Sequence, residues 1–528
     1  MALDLCIRGG TLIDGTGAAA RRGDIGVKDG RIVAVGQFEA DAADWIDAAG
    51  LVVSPGFIDI HSHSDYTLLV DPRAVSALAQ GVTLEVIGNC GFGCAPIRDP
   101  GLSAGNIYGF NGSVKLQWRG VGAYLERLAA ARPAVNVLTL VPNGQLRLAA
   151  VGLSDQPADP PALATMRRLL CEGLDDGAFG FSTGLEYAPE IAATEQEITC
   201  LCQDVARYGA LYATHTRYRD AGSVEAVAEA LRTGAAAEVR LQVSHLLPRS
   251  GLDDGRRVME LVETAKAGGQ DVAFDMHTRL YGTTFLASLL PPWARSGGPR
   301  DIAARLRDPD SRAEIKRFRS ILSASGDWNR VVLLDDPRFP DYARRTLAEI
   351  GSVRGQDAHD AALDLLAEAA DDLSRPMVII HCHTEAQQRE VFAHPLCMPG
   401  SDATTLAPDG PLAGSVFHGA YSWAAWFWRF MVRETRALTP EQAVFKLTGL
   451  PARTLNLSGR GVLAEGAAAD IAVFAPDSFG ERATTFEPNQ LASGMRHVIV
   501  NGAVALRDGS LTGNRPGEVI RRTSPAMR

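Results

Sequence analysis

Six residues with metal-ligating side chains stand directly after short β-rich runs. They are His61 and His63 after 56–60, Cys90 after 83–87, His215 after 211–214, His245 after 239–243 and Asp402 after 396–399. His61 and His63 are two residues apart on an extended segment, so both can project toward one centre. Imidazole, thiolate and carboxylate are the ligand types zinc takes, and a catalytic zinc keeps one position open for water. A single His or Cys at a strand end is more often a packed or hydrogen-bonded residue than a ligand. Six residues of ligand type at five different strand ends are not explained by independent packing, and the set reads as one metal centre.

Such a set converges only if the strands run parallel and open on a common mouth, as at the C-terminal end of a (β/α)8 barrel. Eight runs fit that role: 56–60, 83–87, 135–140, 179–182, 211–214, 239–243, 272–275 and 396–399. Ala-, Leu-, Arg- and Glu-rich helical stretches alternate with them, the pattern of parallel βα units. The fold class is therefore α/β, a TIM-like barrel over residues 56–449. The gap between the seventh and eighth strands is much longer than one crossover helix, and residues 282–380 read as an insertion over the mouth. The first 55 residues alternate short apolar strands with the turn signals Gly9-Gly10, Asp14-Gly15 and Asp29-Gly30, and the texture returns at 470–474 and 497–502. Residues 1–55 and 450–528 are expected to pair into one small β-sandwich, followed by a C-terminal tail.

The bulk properties limit the partners. A chain of 528 residues exceeds one compact core and suggests a large domain with a smaller one. Apolar residues at 46% and charged residues at 22% suit a packed soluble protein without long disorder. The net charge of −10, with no basic block, carries no footprint for nucleic acid and no polybasic patch for a membrane. The expected partner is a small molecule, and a homo-oligomer is left open. The N-terminus has no apolar signal core and no uncharged apolar run reaches about 18 residues, so the chain reads as cytoplasmic. Eight cysteines without dense spacing read as reduced thiols.

Several runs resemble the amidohydrolase superfamily and, within it, the N-acyl-D-amino-acid deacylases, or D-aminoacylases. They include Gly56-Phe57-Ile58-Asp59-Ile60-His61-Ser62-His63-Ser64-Asp65, Gly88-Asn89-Cys90-Gly91 and Phe181-Ser182-Thr183-Gly184-Leu185-Glu186-Tyr187. Further along come Ala213-Thr214-His215-Thr216-Arg217, Val243-Ser244-His245, Leu290-Pro291-Pro292-Trp293 and 394–402, which ends in Gly400-Ser401-Asp402. They span most of the chain in the family's order. The HxH and GSD elements are superfamily-wide, whereas the cysteine after strand two is narrower and points to this branch.

The resemblance implies one zinc held tightly by Cys90, His215 and His245, and a second, weaker site formed by His61, His63 and Asp402. A related branch bridges two metals with a carboxylated lysine after strand four. None of the five lysines here, Lys28, Lys115, Lys266, Lys316 and Lys446, lies at that strand end. Zinc lowers the pKa of its water toward about 7 and polarises an amide carbonyl. Asp402 is expected to take the water proton and deliver it to the leaving nitrogen; its plainer alternative is a helix N-cap.

The chain also departs from the family's pattern. His245 is followed by Leu246-Leu247-Pro248 where relatives show a second His and a Lys. Strand seven continues Phe274-Asp275-Met276-His277-Thr278-Arg279-Leu280-Tyr281 in place of an aromatic-proline-aromatic run. Candidate substrate contacts are Arg279, Tyr281 and Arg295, since arginine binds a carboxylate bidentately, together with Asn143 after strand three and His418. Ordinary surface pairing competes with the first three, and a simple turn with Asn143. The tryptophans at 423–428 have helical spacing and read as core. His381 and His383 read as structural or lid residues.

The resulting expectation is a metal-dependent hydrolase of a small amide, an N-acyl amino acid of D configuration by the resemblance. A cyclic-amide hydrolase of the same superfamily is the nearest rival. A non-catalytic zinc-binding scaffold is the rival from another class, and the intact Asp402 argues against it.

Overall fold

Eight parallel strands form the centre of the fold: β1 (Phe57–Asp59), β2 (Val82–Ile87), β3 (Asn136–Pro142), β4 (Gly180–Gly184), β5 (Leu211–His215), β6 (Arg240–Val243), β7 (Val272–His277) and β8 (Cys397–Gly400). In this computed structural model, which describes residues 2–220, 222–373 and 375–523, they pair in chain order from β1 to β8. The end of the expected C-terminal tail, 524–528, lies outside the described residues. Each strand falls on one of the eight runs expected from sequence. β3, β4 and β7 continue two residues beyond them because their neighbours extend the ladder: Pro142 pairs with Ser182, Gly184 with His215 and His277 with Gly400. Past the strand ends, the first and last strands meet. Asp402 N donates to His61 O (2.8 Å) and His63 N to Ala403 O (2.9 Å). Closure of the barrel thus sets Asp402 beside the His61-Ser62-His63 segment.

Alternation along the strands explains the two layers of core. Ile58, Leu84, Val86, Leu138, Leu140, Leu211, Ala213 and Met398 share one buried cluster. The intervening Phe57, Val82, Val137, Val141, Tyr212, Val243 and Phe274 belong to another, together with apolar faces of the helices. Side chains two apart on a strand share a face, so strands covered on both sides read as nearly continuous apolar runs. The helix Glu195–Arg207 is typical of the outer layer. Thr194 caps it by accepting from Glu197 N, and Ile198, Leu201, Cys202 and Val205 are buried at helical spacing. Trp423 and Trp428 are buried core residues, as their spacing suggests.

The two chain ends build one nine-stranded sheet, joined where Val52–Pro55 pairs antiparallel with Ile471–Phe474. Leu5, Ile7, Ile25 and Val27 from one end share a core with Ile471, Val473 and Ile499 from the other. Beyond this sheet, Val137 N donates to Glu518 O (2.9 Å) and Ile520 N to Val137 O (2.8 Å), and Ile520 packs on the inner barrel cluster.

Residues 248–252 and 279–388 form a separate compact unit. It contains an antiparallel sheet ordered Tyr281–Phe285, Met377–His381, Val331–Leu333 and a core that includes Leu306, Ile315, Ile350, Leu363 and Leu366. No helix among the described residues is long and apolar enough to cross a membrane.

Candidate metal centre

The barrel brings all six candidate ligands together. Ligand atoms of Cys90, His215 and His245 lie within 4.8 Å of one another, as do those of His61, His63, Cys90 and Asp402. Cys90 is common to both groups. His215 Nδ1 is 3.0 Å from His245 Nε2, and Cys90 Sγ is 3.4 Å from the same nitrogen and 3.1 Å from His61 Nε2. Asp402 Oδ1 lies 3.3 Å from His63 Nε2 and 3.6 Å from His61 Nε2. The five His and Cys residues are buried, and only the Asp402 side chain keeps 20% of its surface open.

Cys90, His245 and Asp402 have φ of 53°, 35° and 45°. Left-handed backbone costs a non-glycine residue about 1 kcal/mol or more and persists only where the surroundings over-determine it. Here each sharp turn follows a strand, and its ligand atom lies within 4.8 Å of others of the cluster. The close approach of neighbouring loops needs glycine: a Cβ on Gly184 would sit 2.1 Å from Cys90 O, and one on Gly91 1.7 Å from Glu190 Oε1.

Two carboxylates support the rings from behind. Asp275 Oδ1 accepts from His61 Nδ1 (3.1 Å), and Glu186 Oε2 lies 2.9 Å from His215 Nε2. Each contact leaves the opposite ring nitrogen for the centre, the usual arrangement of a metal-ligating histidine. Neither acid's pairing with a ring is visible in the sequence, because the ring it meets ends or follows another strand. The strand-end rule, applied to β7, points at Asp275.

The electrostatics suit a cation. Burial, then the charges of Arg219 and His215, push His245 well below the ordinary imidazole range, so its ring is neutral and offers a lone pair. Burial also disfavours the charged form of His61, but Asp275 and Cys90 outweigh it and raise that ring well above its usual value. Burial pushes the Cys90 thiol up to about 11; a coordinated cation is what deprotonates a thiol in such a place. A sulfur and two ring nitrogens buried and facing one another are a donor set zinc takes, so the residues present fit that ion.

The other candidates have different surroundings. Asn143 opens the helix Asn143–Ala150, fully buried; its Nδ2 donates to Glu190 Oε2 (2.9 Å), and its Oδ1 has no hydrogen-bond partner among the described residues. His418 is buried with Nε2 donating to Thr485 O (2.7 Å). Arg279, Tyr281 and Arg295 belong to the separate unit, as do His381 and His383. There Arg295 donates from Nε and a terminal nitrogen to Leu290 O (3.1 and 2.9 Å).

Glu190, not singled out from sequence, also accepts from Gly184 N (2.9 Å) and so ties β4 to the start of the helix after β3. Burial raises its carboxyl from 4.5 to about 8. The folded chain then holds a proton that the unfolded chain releases near its ordinary value. Stability from this group is full below about 4.5 and falls as pH rises through about 8. Glu190→Gln should flatten that fall in thermal midpoints measured across the window; parallel curves for mutant and wild type would refute the assignment.

Comparison with known proteins agrees with this geometry. Residues 44–506 match the model of the amidohydrolase family. The chain is 34% identical to an N-acyl-D-glutamate deacylase of Alcaligenes xylosoxydans xylosoxydans, covering 98% of this chain and 97% of that protein. It is 35% identical to an N-acyl-D-aspartate deacylase from the same organism, covering 98% and 95%. Its fold superposes with a TM-score of 0.81, at 32% identity, on the crystal structure of a Bordetella bronchiseptica N-acyl-D-glutamate deacylase complexed with zinc and a phosphonate mimic of the tetrahedral intermediate; the match covers 99% of this chain and 100% of that one. Matched from end to end by these relatives, with a cysteine and four histidines gathered at its barrel strand ends, the chain belongs to the amidohydrolase family, in the branch of the N-acyl-D-amino-acid deacylases.

Proposed function

We propose that this chain hydrolyses the amide bond of an N-acyl-D-amino acid. In this reading Cys90, His215 and His245 hold one zinc, His61, His63 and Asp402 form a weaker second site, and Asp402 is the proton carrier. The observation that carries the reading is the shared cysteine: two donor groups that meet at Cys90, with a partly exposed carboxylate on one side. A zinc bound there supplies Lewis acidity, polarising the substrate carbonyl and making water nucleophilic at neutral pH.

The chain's own residues do the rest. Asp402, held over the centre by its bond to His61 O, is placed to take a proton from the attacking water. The same carboxyl then delivers that proton to the leaving nitrogen, because an unprotonated amide nitrogen is a poor leaving group. Asp275 and Glu186 hold His61 and His215 in orientation through the reaction. The relatives' names direct the choice of substrate: those proteins are deacylases of N-acyl-D-glutamate and N-acyl-D-aspartate.

The test is elemental analysis of the purified protein together with hydrolysis of a panel of N-acetyl-D-amino acids, N-acetyl-L-amino acids and cyclic amides. Zinc with turnover of the D-amides is the expected result. Turnover of cyclic amides alone would overturn the substrate and keep the mechanism; a protein that takes up no metal would overturn both.

A further inference from the structure

We propose that Asp275 is the positioning residue that couples the two donor groups, so that disturbing it weakens both together. This rests on the reading that the two groups bind metal. The carboxylate of Asp275, buried in β7, meets three N–H donors: one in β6, one in the turn after β6 and one in the segment after β1. Oδ1 accepts from His61 Nδ1 (3.1 Å) and from His245 N (2.8 Å), and Oδ2 accepts from Gln242 Nε2 (2.6 Å). One oxygen therefore grips one residue of each group: the ring of His61 and the main chain of His245.

The two grips have different physical effects. At His61 the bond engages Nδ1 and turns Nε2 toward Cys90 Sγ and Asp402 Oδ1. A carboxylate behind a ligand ring sets its orientation and raises its basicity, and losing one costs roughly 10–100-fold in metal affinity. At His245 the bond holds a backbone with φ of 35°, which is kept only by outside contacts. The peptide of Asp275 adds to this hold, because its carbonyl accepts from Leu246 N (3.0 Å). If Oδ1 lets go, His61 can rotate and the His245 turn can relax in the same event. Cys90 links the groups as the donor they share; Asp275 links them from behind.

The experiment uses the full chain and Co2+ and Zn2+ as probes. Stepwise affinities of the wild type, Asp275→Asn, Asp275→Ala and Gln242→Leu are measured by competition with a chromophoric chelator. The visible absorption of the Co2+ form reports coordination at the tight site. Asp275→Asn is nearly isosteric and removes the negative charge that Oδ1 presents to His61 Nδ1 and His245 N, so it carries the test if Asp275→Ala does not fold. The expected result is a loss of roughly 10–100-fold at both the tight and the weak step, with an altered Co2+ spectrum, and a smaller loss for Gln242→Leu, which leaves Oδ1 untouched. A variant that loses only the weak step, with a wild-type Co2+ spectrum at the tight one, would overturn the coupling, and so would wild-type affinity at both steps. Absence of metal binding by the wild type would instead refute the proposed function.

Discussion

Replacing Cys90 by Ala is expected to abolish tight metal binding and, with it, amide hydrolysis. Cys90 is the single residue shared by both donor groups, so its loss removes one ligand from each. A metal left with two imidazoles in the tight group lacks the charge-neutralising thiolate that favours zinc over water. The effect should therefore exceed the roughly 10–100-fold that changes behind a ligand produce. The substitution adds no backbone strain, since alanine and cysteine both carry a Cβ at the same φ of 53°. The checks are zinc content by elemental analysis and kcat/KM on the best amide of the panel. A Cys90→Ala protein with full zinc and unchanged turnover would show that the thiol is only a buried core group.

Asp402→Asn is expected to separate chemistry from binding. Asp402 is absent from the group Cys90, His215 and His245, so the tightly held metal should remain. Asparagine is nearly isosteric and tolerates the left-handed backbone at φ of 45° better than alanine would. What it cannot do is accept a proton from water and pass it on. Removing a positioned general acid–base group costs about 10²–10⁴-fold in rate, and the loss should fall on kcat with the first equivalent of zinc still present. If Asp402 were only a cap on the turn after β8, Asp402→Asn would keep kcat within a few-fold of wild type.

Both variants probe residues that the sequence already singles out. His61, His63, Cys90, His215, His245 and Asp402 are visible in the sequence because each directly follows an apolar run. Parallel strands in a closed barrel carry whatever follows them to one mouth. The order of the chain therefore determines both the barrel and the convergence of its ligands. The pairing of the chain ends is likewise foreshadowed by the turn-rich texture at each. The strand limits are less legible: β3, β4 and β7 are lengthened by ladder partners on neighbouring strands.

Only the tertiary structure decided how the candidate ligands are held. Asp275 meets His61 across 214 residues of chain, and Glu186 meets His215 across 29. No local spacing marks an acid as the partner of a particular ring nitrogen. Asn143 and His418 show the converse: the polar type that suggests a substrate contact is visible, but its commitments to Glu190 and Thr485 O come from packing. The raised carboxyl of Glu190 has the same origin, since desolvation depends on every chain segment that excludes water from it. The sequence by itself determined which donors reach the centre, because strand-end position is a property of chain order. Which atoms face inward, which protons they keep and what locks them there was decided by contacts between distant segments, whose energies exist only once the barrel has closed.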